Sequence, residues 1–523
     1  MTSSAAGAHT LGRWTTDRAR VRPDAVAVVD RGIELGYGEL ERRAEALAAS
    51  LRGAGYRRGD RIATLTGNTA DHVVVFFACA KAGLVLVPMS WRLTVAELTA
   101  QLEHADPAVL LVEEEFATSG EQAVRRLAAR VPTARLGESG VEADPPAPWR
   151  SDDTEPTPGI PGPVRDDDPL LMVFTSGSSG RSKAAVLTHA TCSWTNLSLS
   201  RTLGLSEQDV VLAVLPQFHV GGWNIQPLLA WWHGATVVLE RTFDAGRALR
   251  LIADRGITTM MAVPTQYLLM AEHADFATTD FSRMRSAVVG GAPMPAPLLR
   301  TYHARGVALT QGYGLTEAGP NVLCVPPQDA HARVGYAGKP YPHVDVAIAD
   351  PATGRHLDGP GTGELLVRGP GMFAGYFRDE EATRDAWRDG WLATGDVATR
   401  DADGYLKIVD RLKNIYISGG ENVSPAEVEQ VLRQLPFVAD VAVVGVPDDR
   451  WGEVGVALVV RRAGVAGDEA EVIEHVRSQL AAYKVPAVVR VVDTLPYVTL
   501  GKVDRVRARE LALAASTGRQ ETR

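Results

Sequence analysis

Short β-rich runs alternate with helical stretches along most of this chain, and that alternation restricts its fold more than any other feature. Early on, "LERRAEALAASLRGAG" has helical spacing, "RIATLTGN" reads as a strand, "HVVVFFACAKAG" as a helix and "LVLVP" as another strand. After residue 168 the pattern resumes, with strand-like "LLMVF", "VVLAVLP" and "ATVVLE" and helical "AGRALRLIADRG" and "APLLRTYHARG". Strands spaced by helices predict parallel sheets whose faces are covered. The 523 residues are enough for two to four domains at about 150 residues each.

The pattern changes twice. From His343 to Lys407, "VDVAIAD", "GELLVRG" and "GYLKIVD" are joined by Gly and Asp turns, which favours antiparallel hairpins. After that a compact α+β unit is expected from the strands "VADVAVVGV", "GVALVV" and "VVRVVD" and the helix "AEVIEHVRSQLAAY". Its first helix is announced by Ser424, Pro425 and Glu427, a capping box with proline at the first helical position, and Val428, Val431, Leu432 and Leu435 share one face. The stretch from Asp144 to Asp168 is rich in Pro and acid and reads as an exposed linker. No internal repeat is found.

Composition narrows the function classes. Hydrophobic residues make up 45% and charged residues 22% of the chain, as in an ordinary globular protein, and the net charge of −9 does not advertise nucleic acid or an anionic membrane as a partner. The amino terminus lacks the apolar core of a secretion signal, and the apolar run "VVVFFACAKAGLVLVPM" is broken by Lys81, so a cytoplasmic protein is expected. Cys79, Cys192 and Cys324 lie far apart, without zinc-binding or disulfide spacing, and are expected to be buried thiols.

Chemistry concentrates first in "FTSGSSGRSKAAVLTH", residues 174 to 189. The spacing is not that of the common mononucleotide loop, because Lys183 stands three residues beyond Gly180. The physics still points to phosphate. Glycines let several N–H groups converge on one anion, the hydroxyls of Thr175, Ser176, Ser178 and Ser179 add donors, and Arg181 and Lys183 add charge. A solvated Gly/Ser linker is the competing reading of this stretch alone.

Further stretches share its character: "FHVGGWN", "VVGGAPM", "QGYGLTEAG", "GWLATGD", "DRLKNIYISGGENVSP" and "LGKVDR". In this order and at these intervals they resemble the adenylate-forming superfamily, which contains acyl-CoA synthetases, aryl-CoA ligases and adenylation domains, over residues 30 to 510. The resemblance implies an α/β fold: a large N-terminal domain of parallel-rich sheets with a small β-barrel-like part, residues 1–409, a hinge at 410–413, and a small mobile α+β domain, 414–523.

It also implies roles. Thr175, Ser176, Gly177, Ser178, Ser179, Gly180 and Lys183 would hold the β- and γ-phosphates of ATP, with Ser182 and Ala184 standing where proline and glycine are common. Gly291, Ala292, Pro293, Gly312, Tyr313 and Gly314 match the adenine-binding segments, and Gly290, His219 and Trp223 the acyl pocket, which Trp223 would narrow and Gly221 and Gly222 would open, the balance being open at this point. Thr316 would reach the α-phosphate and Glu317 would help to hold Mg²⁺, a hard cation that suits carboxylate and phosphate oxygens. Asp396 matches the carboxylate for the ribose hydroxyls, Arg411 the cation beside it, Lys413 the hinge, and Lys502 the catalytic lysine between the substrate carboxylate and the α-phosphate. Gly419 and Gly420 would lie beside the pantetheine arm of coenzyme A.

The implied reaction has two steps: a carboxylate attacks MgATP to give acyl-AMP and pyrophosphate, and coenzyme A then displaces AMP. The loop "LPQFHVGGWN" carries no Asp for a substrate ammonium, so an apolar acid, straight-chain or aromatic, is expected. Two alternatives stay open at this point: another acceptor or acid, such as a carrier-protein thiol, and a nucleotide-binding homologue without catalysis. The oligomeric state, a homodimer included, is open as well.

Overall fold

The structure is a computed structural model that describes residues 9–137, 163–175, 182–418, 421–448, 451–480, 482–498 and 502–516. The chain forms two compact units, residues 1–346 with 367–392 and residues 347–366 with 393–523.

Two sheets organise the first unit. One runs Gly375–Tyr376, Lys183–Thr188, Pro169–Thr175, Val85–Met89, Arg61–Leu65, Val109–Glu113, Thr133–Leu136. It is parallel from Pro169–Thr175 onward and antiparallel at its opening pairs. In the other, Val26–Asp30, Thr236–Leu239, Val210–Ala213, Thr259–Ala262, Ser286–Val289 and Leu309–Tyr313 pair in parallel, with antiparallel strands at both ends. The parallel centres follow the alternation of strands and helices in the chain. The antiparallel edges are not visible in that alternation, because two-residue strands such as Gly375–Tyr376 and Leu323–Cys324 have no period to detect.

Helix Ala70–Ala82 shows how tertiary burial overrides local preference. Val73, Val74 and Val75 are weak helix formers, yet these three and Phe76 and Phe77 are buried, each worth about 1.5–3 kcal/mol. Thr69 caps its start by accepting the His72 N–H, and Gly83 ends it in the left-handed region. Lys81, which interrupts the apolar run, is buried at 7% exposure and bonds Glu41 and Thr16 at 2.9 Å. Among the described residues no helix is long and apolar enough to cross a membrane. The three cysteines are free and buried, as expected.

Most of the Asp144–Asp168 stretch lies outside the described residues. Its end departs from the exposed linker expected there. Asp168 is buried, 2.7 Å from Arg58 Nε, and accepts the Arg165 N–H, because a guanidinium this enclosed needs a carboxylate partner.

Most of Asp345–Ala349, Gly361–Arg368 and Trp391–Arg400, neighbours in one sheet, belongs to the second unit, with Leu406–Arg411 antiparallel to Trp391–Arg400. A further sheet runs Glu421–Val423, Tyr416–Ser418, Gly452–Arg461, Val438–Asp448, with Val488–Val492 parallel to Gly452–Arg461. Helix Pro425–Leu432 covers it with Val428, Val431 and Leu432. Only half of the expected capping box is present. Ser424 accepts the Glu427 N–H, but the Glu427 carboxylate lies 2.7 Å from Lys484, and Asp410 accepts from the Ser424 hydroxyl and the Ala426 N–H, both at 2.9 Å. A nearby cation outcompetes the backbone for Glu427.

Two histidines make folding stability depend on pH. His72 and His189 are enclosed, and burial pushes both down to about 4. Each is neutral in the folded chain but takes up a proton below about 6.5 when unfolded. Stability therefore falls as pH drops from 6.5 toward 4, by about 1.4 kcal/mol per pH unit for each histidine. Urea titrations at pH 6.5, 5.5 and 4.5 test this. A curve flat over that range contradicts the expectation, and His72→Gln should reduce the slope.

Candidate active site

Ligand loops of a parallel sheet gather beyond the carboxyl ends of its strands. In the first unit, Val210–Ala213, Ser286–Val289 and Leu309–Tyr313 each lead at that end into a singled-out stretch: the Phe218–Asn224 loop, Gly290–Met294, and Tyr313–Gly319. Val289 pairs with Gln311. The side chain of Gln311 accepts the Met294 N–H at 3.1 Å, which holds the Gly290–Pro293 segment beside the Gly312 strand. Gly290 is buried against Met261 and Gly312, whereas Gly291, Ala292 and Pro293 are exposed. At Gly314 a Cβ would fall 1.3 Å from the Pro320 carbonyl oxygen, so that turn admits only glycine.

The phosphate-loop candidate closes an antiparallel hairpin. Thr175 pairs with Lys183 across it and donates to the Lys183 carbonyl at 3.4 Å. Ser176, Gly177, Ser178, Ser179, Gly180 and Arg181 lie outside the described residues. Lys183 places its ammonium 5.0 Å above the Tyr376 ring, and the Tyr376 hydroxyl donates to Glu317 Oε1 at 2.7 Å. The Phe373 N–H binds the Glu317 carbonyl at 2.8 Å. Tyr376 thus joins the loop lysine to the candidate magnesium carboxylate. It escaped the sequence reading, where "GYF" carries no signal beyond one aromatic after a glycine. Thr316 and Glu317 remain half-buried on a short 3₁₀ turn.

His219 is half-buried, its ring 4.6 Å from that of Phe218. Its loop is pinned from below. Gln217 donates its N–H to Asn68 Oδ1 at 2.8 Å, and its side-chain oxygen lies 3.1 Å from His72 Nδ1. Trp223 is wholly buried. It donates to the Gln217 carbonyl at 2.6 Å and stacks on Phe76 at 4.7 Å. The structure therefore places this indole beneath the loop as packing. At Gly222 a Cβ would stand 2.4 Å from the Pro216 oxygen, so the tight return of the loop requires glycine; Gly221 packs beside Leu215 and Ile225.

The second unit holds its own cluster. Asp396 and Arg411 face each other on adjacent strands, Arg411 Nε 2.8 Å from Asp396 Oδ1, with the carboxylate 5% exposed and the guanidinium 48%. The ammonium groups of Lys413 and Lys502 are both held below the usual lysine range, first by burial and then by the Arg411 charge, while Asp396 pulls the other way. Asp396 and Arg411 are thus each felt by both lysines, an arrangement suited to a polyanion. Gly419 and Gly420 lie outside the described residues.

In the first unit a hairpin lysine and a carboxylate share Tyr376, and in the second an Asp–Arg pair lies in the field of two lysines; each arrangement is suited to handling a polyanion. The chain belongs to the AMP-binding enzyme family, which matches residues 15–377, and the AMP-binding enzyme C-terminal domain matches residues 427–502. It is an AMP-forming acid–CoA ligase, an ATP-dependent acyl-CoA synthetase. A feruloyl-CoA synthase from Amycolatopsis sp is 41% identical over 494 residues, covering 94% of this chain and 97% of that protein. An indoleacetate–CoA ligase from Aromatoleum aromaticum is 36% identical, covering 98% and 100%. Among solved structures, ATP-bound MatB from Rhodopseudomonas palustris matches with a TM-score of 0.85 at 30% identity, over 96% of this chain and 98% of that one. The solved relatives share the architecture expected from sequence, a large N-terminal α/β domain followed by a small C-terminal one.

Proposed function

We propose that this ligase activates an apolar aromatic acid in the cytoplasm, where ATP and coenzyme A are held. The observation that carries the reading is the Lys183–Tyr376–Glu317 contact, which links the phosphate-loop lysine to a carboxylate. In this reading Thr175 to Gly180 and Lys183 hold the β- and γ-phosphates, and Thr316 binds the α-phosphate. Gly291, Ala292, Pro293, Gly312, Tyr313 and Gly314 frame adenine, and Asp396 and Arg411 take the ribose. Glu317, one of whose oxygens is already oriented by Tyr376, fits Mg²⁺, and the ion would neutralise charge on the phosphates. Lys502 binds the attacking carboxylate and the α-phosphate together, so that charge developing in the transition state meets a fixed cation. His219 and Gly290 face the acyl group, and Gly419 and Gly420 the pantetheine arm.

The acid is read as apolar because the Val214–Asn224 segment carries no acidic side chain. An aromatic acid is favoured over a straight-chain one by the similarity to the feruloyl and indoleacetate ligases. Residues 410–413 act as the hinge between 1–409 and 414–523. Rotation about Lys413 would have to release Ser424 and Ala426 from Asp410.

The test is release of AMP and pyrophosphate from MgATP with cinnamate, phenylacetate, octanoate and free phenylalanine, with and without coenzyme A. Turnover with the aryl acids that depends on coenzyme A is the expected outcome. Turnover with phenylalanine alone overturns the substrate assignment, and adenylation indifferent to coenzyme A points to a carrier-protein acceptor.

A further inference from the structure

Lys502 sits on a short hairpin, Tyr497–Val498 against Lys502–Val503, that leads directly into helix Arg505–Ser516. A hairpin with two residues per strand has too few bonds to fix a long side chain by itself. Three contacts tie it to its domain. Val503 packs on a buried cluster of Val444, Val456, Leu458, Leu495 and Ala508, and the exposed Tyr497 hydroxyl bonds Asp440. The third ends on a buried carboxylate. Arg505 Nη2 lies 2.8 Å from Glu429 Oε1 on helix Pro425–Leu432, and Nη1 donates to the Val443 carbonyl. Glu429 is 5% exposed, also accepts the Val443 N–H at 2.8 Å, and has Arg433 Nη2 at 3.7 Å from its other oxygen.

Resting on the ligase reading, we propose that the Glu429–Arg505 pair is a positioning device, fixing the lysine hairpin to helix Pro425–Leu432 so that Lys502 is held in register for acyl-AMP formation. Arg505 follows Lys502 by three residues, so a shift at its guanidinium passes to Lys502 through one strand residue and a turn. The planar fork is bound on two sides, to Glu429 and to Val443, and thereby fixes orientation as well as distance. Burial pushes the Glu429 carboxyl up, with Arg505 and Arg433 opposing. An enclosed carboxylate of this kind is costly unless its partners stay in place. Helix Arg505–Ser516 also meets its domain through Ala508 and Ala512, small side chains in that cluster, and through an exposed Arg509–Glu453 pair.

The test separates the two half-reactions, since Lys502 serves only the first. Arg505→Ala and Glu429→Gln are expected to slow acyl-AMP formation by about tenfold or more in kcat, with KM for ATP little changed, because small displacements of a reacting group are costly. Transfer from supplied cinnamoyl-AMP to coenzyme A should stay within about twofold of wild type. Arg505→Lys should recover part of the first step. Arg509→Ala, which removes an exposed ion pair with Glu453 on the same helix, should change neither step.

Equal loss in both half-reactions, or no loss in the first, overturns the proposal. Glu429→Gln preserves side-chain shape and serves as the decisive variant if Arg505→Ala does not fold. Lys502→Ala run alongside keeps the two ideas apart. If it leaves acyl-AMP formation intact, the assignment of the lysine fails; if it abolishes that step while Glu429→Gln does not affect it, only the positioning role fails.

Discussion

Lys502→Ala lowers the rate of acyl-AMP formation by about 10²–10³-fold, the cost typical of removing one preorganised electrostatic donor from a developing oxyanion. The lysine lies within the fields of Arg411 and Asp396, and burial and Arg411 hold its ammonium below the ordinary lysine range. Two consequences follow. In the wild-type enzyme the first half-reaction declines with rising pH earlier than an unperturbed lysine would dictate, because deprotonation removes the charge that the transition state needs. In the alanine variant that alkaline limb disappears. Transfer from supplied acyl-AMP to coenzyme A is spared. Stopped-flow measurement of pyrophosphate release between pH 7 and pH 10, with both proteins, reads the first-step rate and its alkaline limb, and AMP release from supplied acyl-AMP with coenzyme A reads the transfer. A variant that retains the alkaline limb would assign it to another group.

Gly314→Ala is expected to reduce acid activation by about 100-fold or more, since displacing the segment around Tyr313 by even an ångström misplaces bound groups. The added methyl would lie 1.3 Å from the Pro320 carbonyl oxygen. That neighbour is backbone, so no rotamer change relieves the overlap, and the Gly312–Gly319 turn must open. Overpacking of this kind costs on the order of 1–3 kcal/mol or more, visible as a lower melting temperature. Gly53→Ala is the matched control. Gly53 ends helix Tyr37–Gly53, and nothing lies within 4 Å of a Cβ placed there, so stability and activity should be unchanged. Full activity in Gly314→Ala would show that the turn is softer than its packing implies.

Much of this was readable from the chain alone. The spacing of apolar residues determined the parallel centres of both sheets of the first unit and the α+β tail, because local periodicity is a short-range property, and the order of glycine-rich stretches carried the resemblance that singled out Glu317, Asp396, Arg411 and Lys502. Tertiary structure decided the rest. Tyr376 meets Glu317 only because a two-residue strand pairs on a sheet edge, 59 positions away in sequence. Trp223, expected at the acyl pocket, is enclosed because Phe76 and Gln217 are brought against its ring. Glu427 turned from its own helix cap to Lys484, and Asp410 took up the free donors. Glu429 and Arg505 looked like two more charges on helices until folding buried one against the other. Which polar groups meet, and which of them lose water in doing so, is a property of the packed chain, and no periodicity in the sequence encodes it.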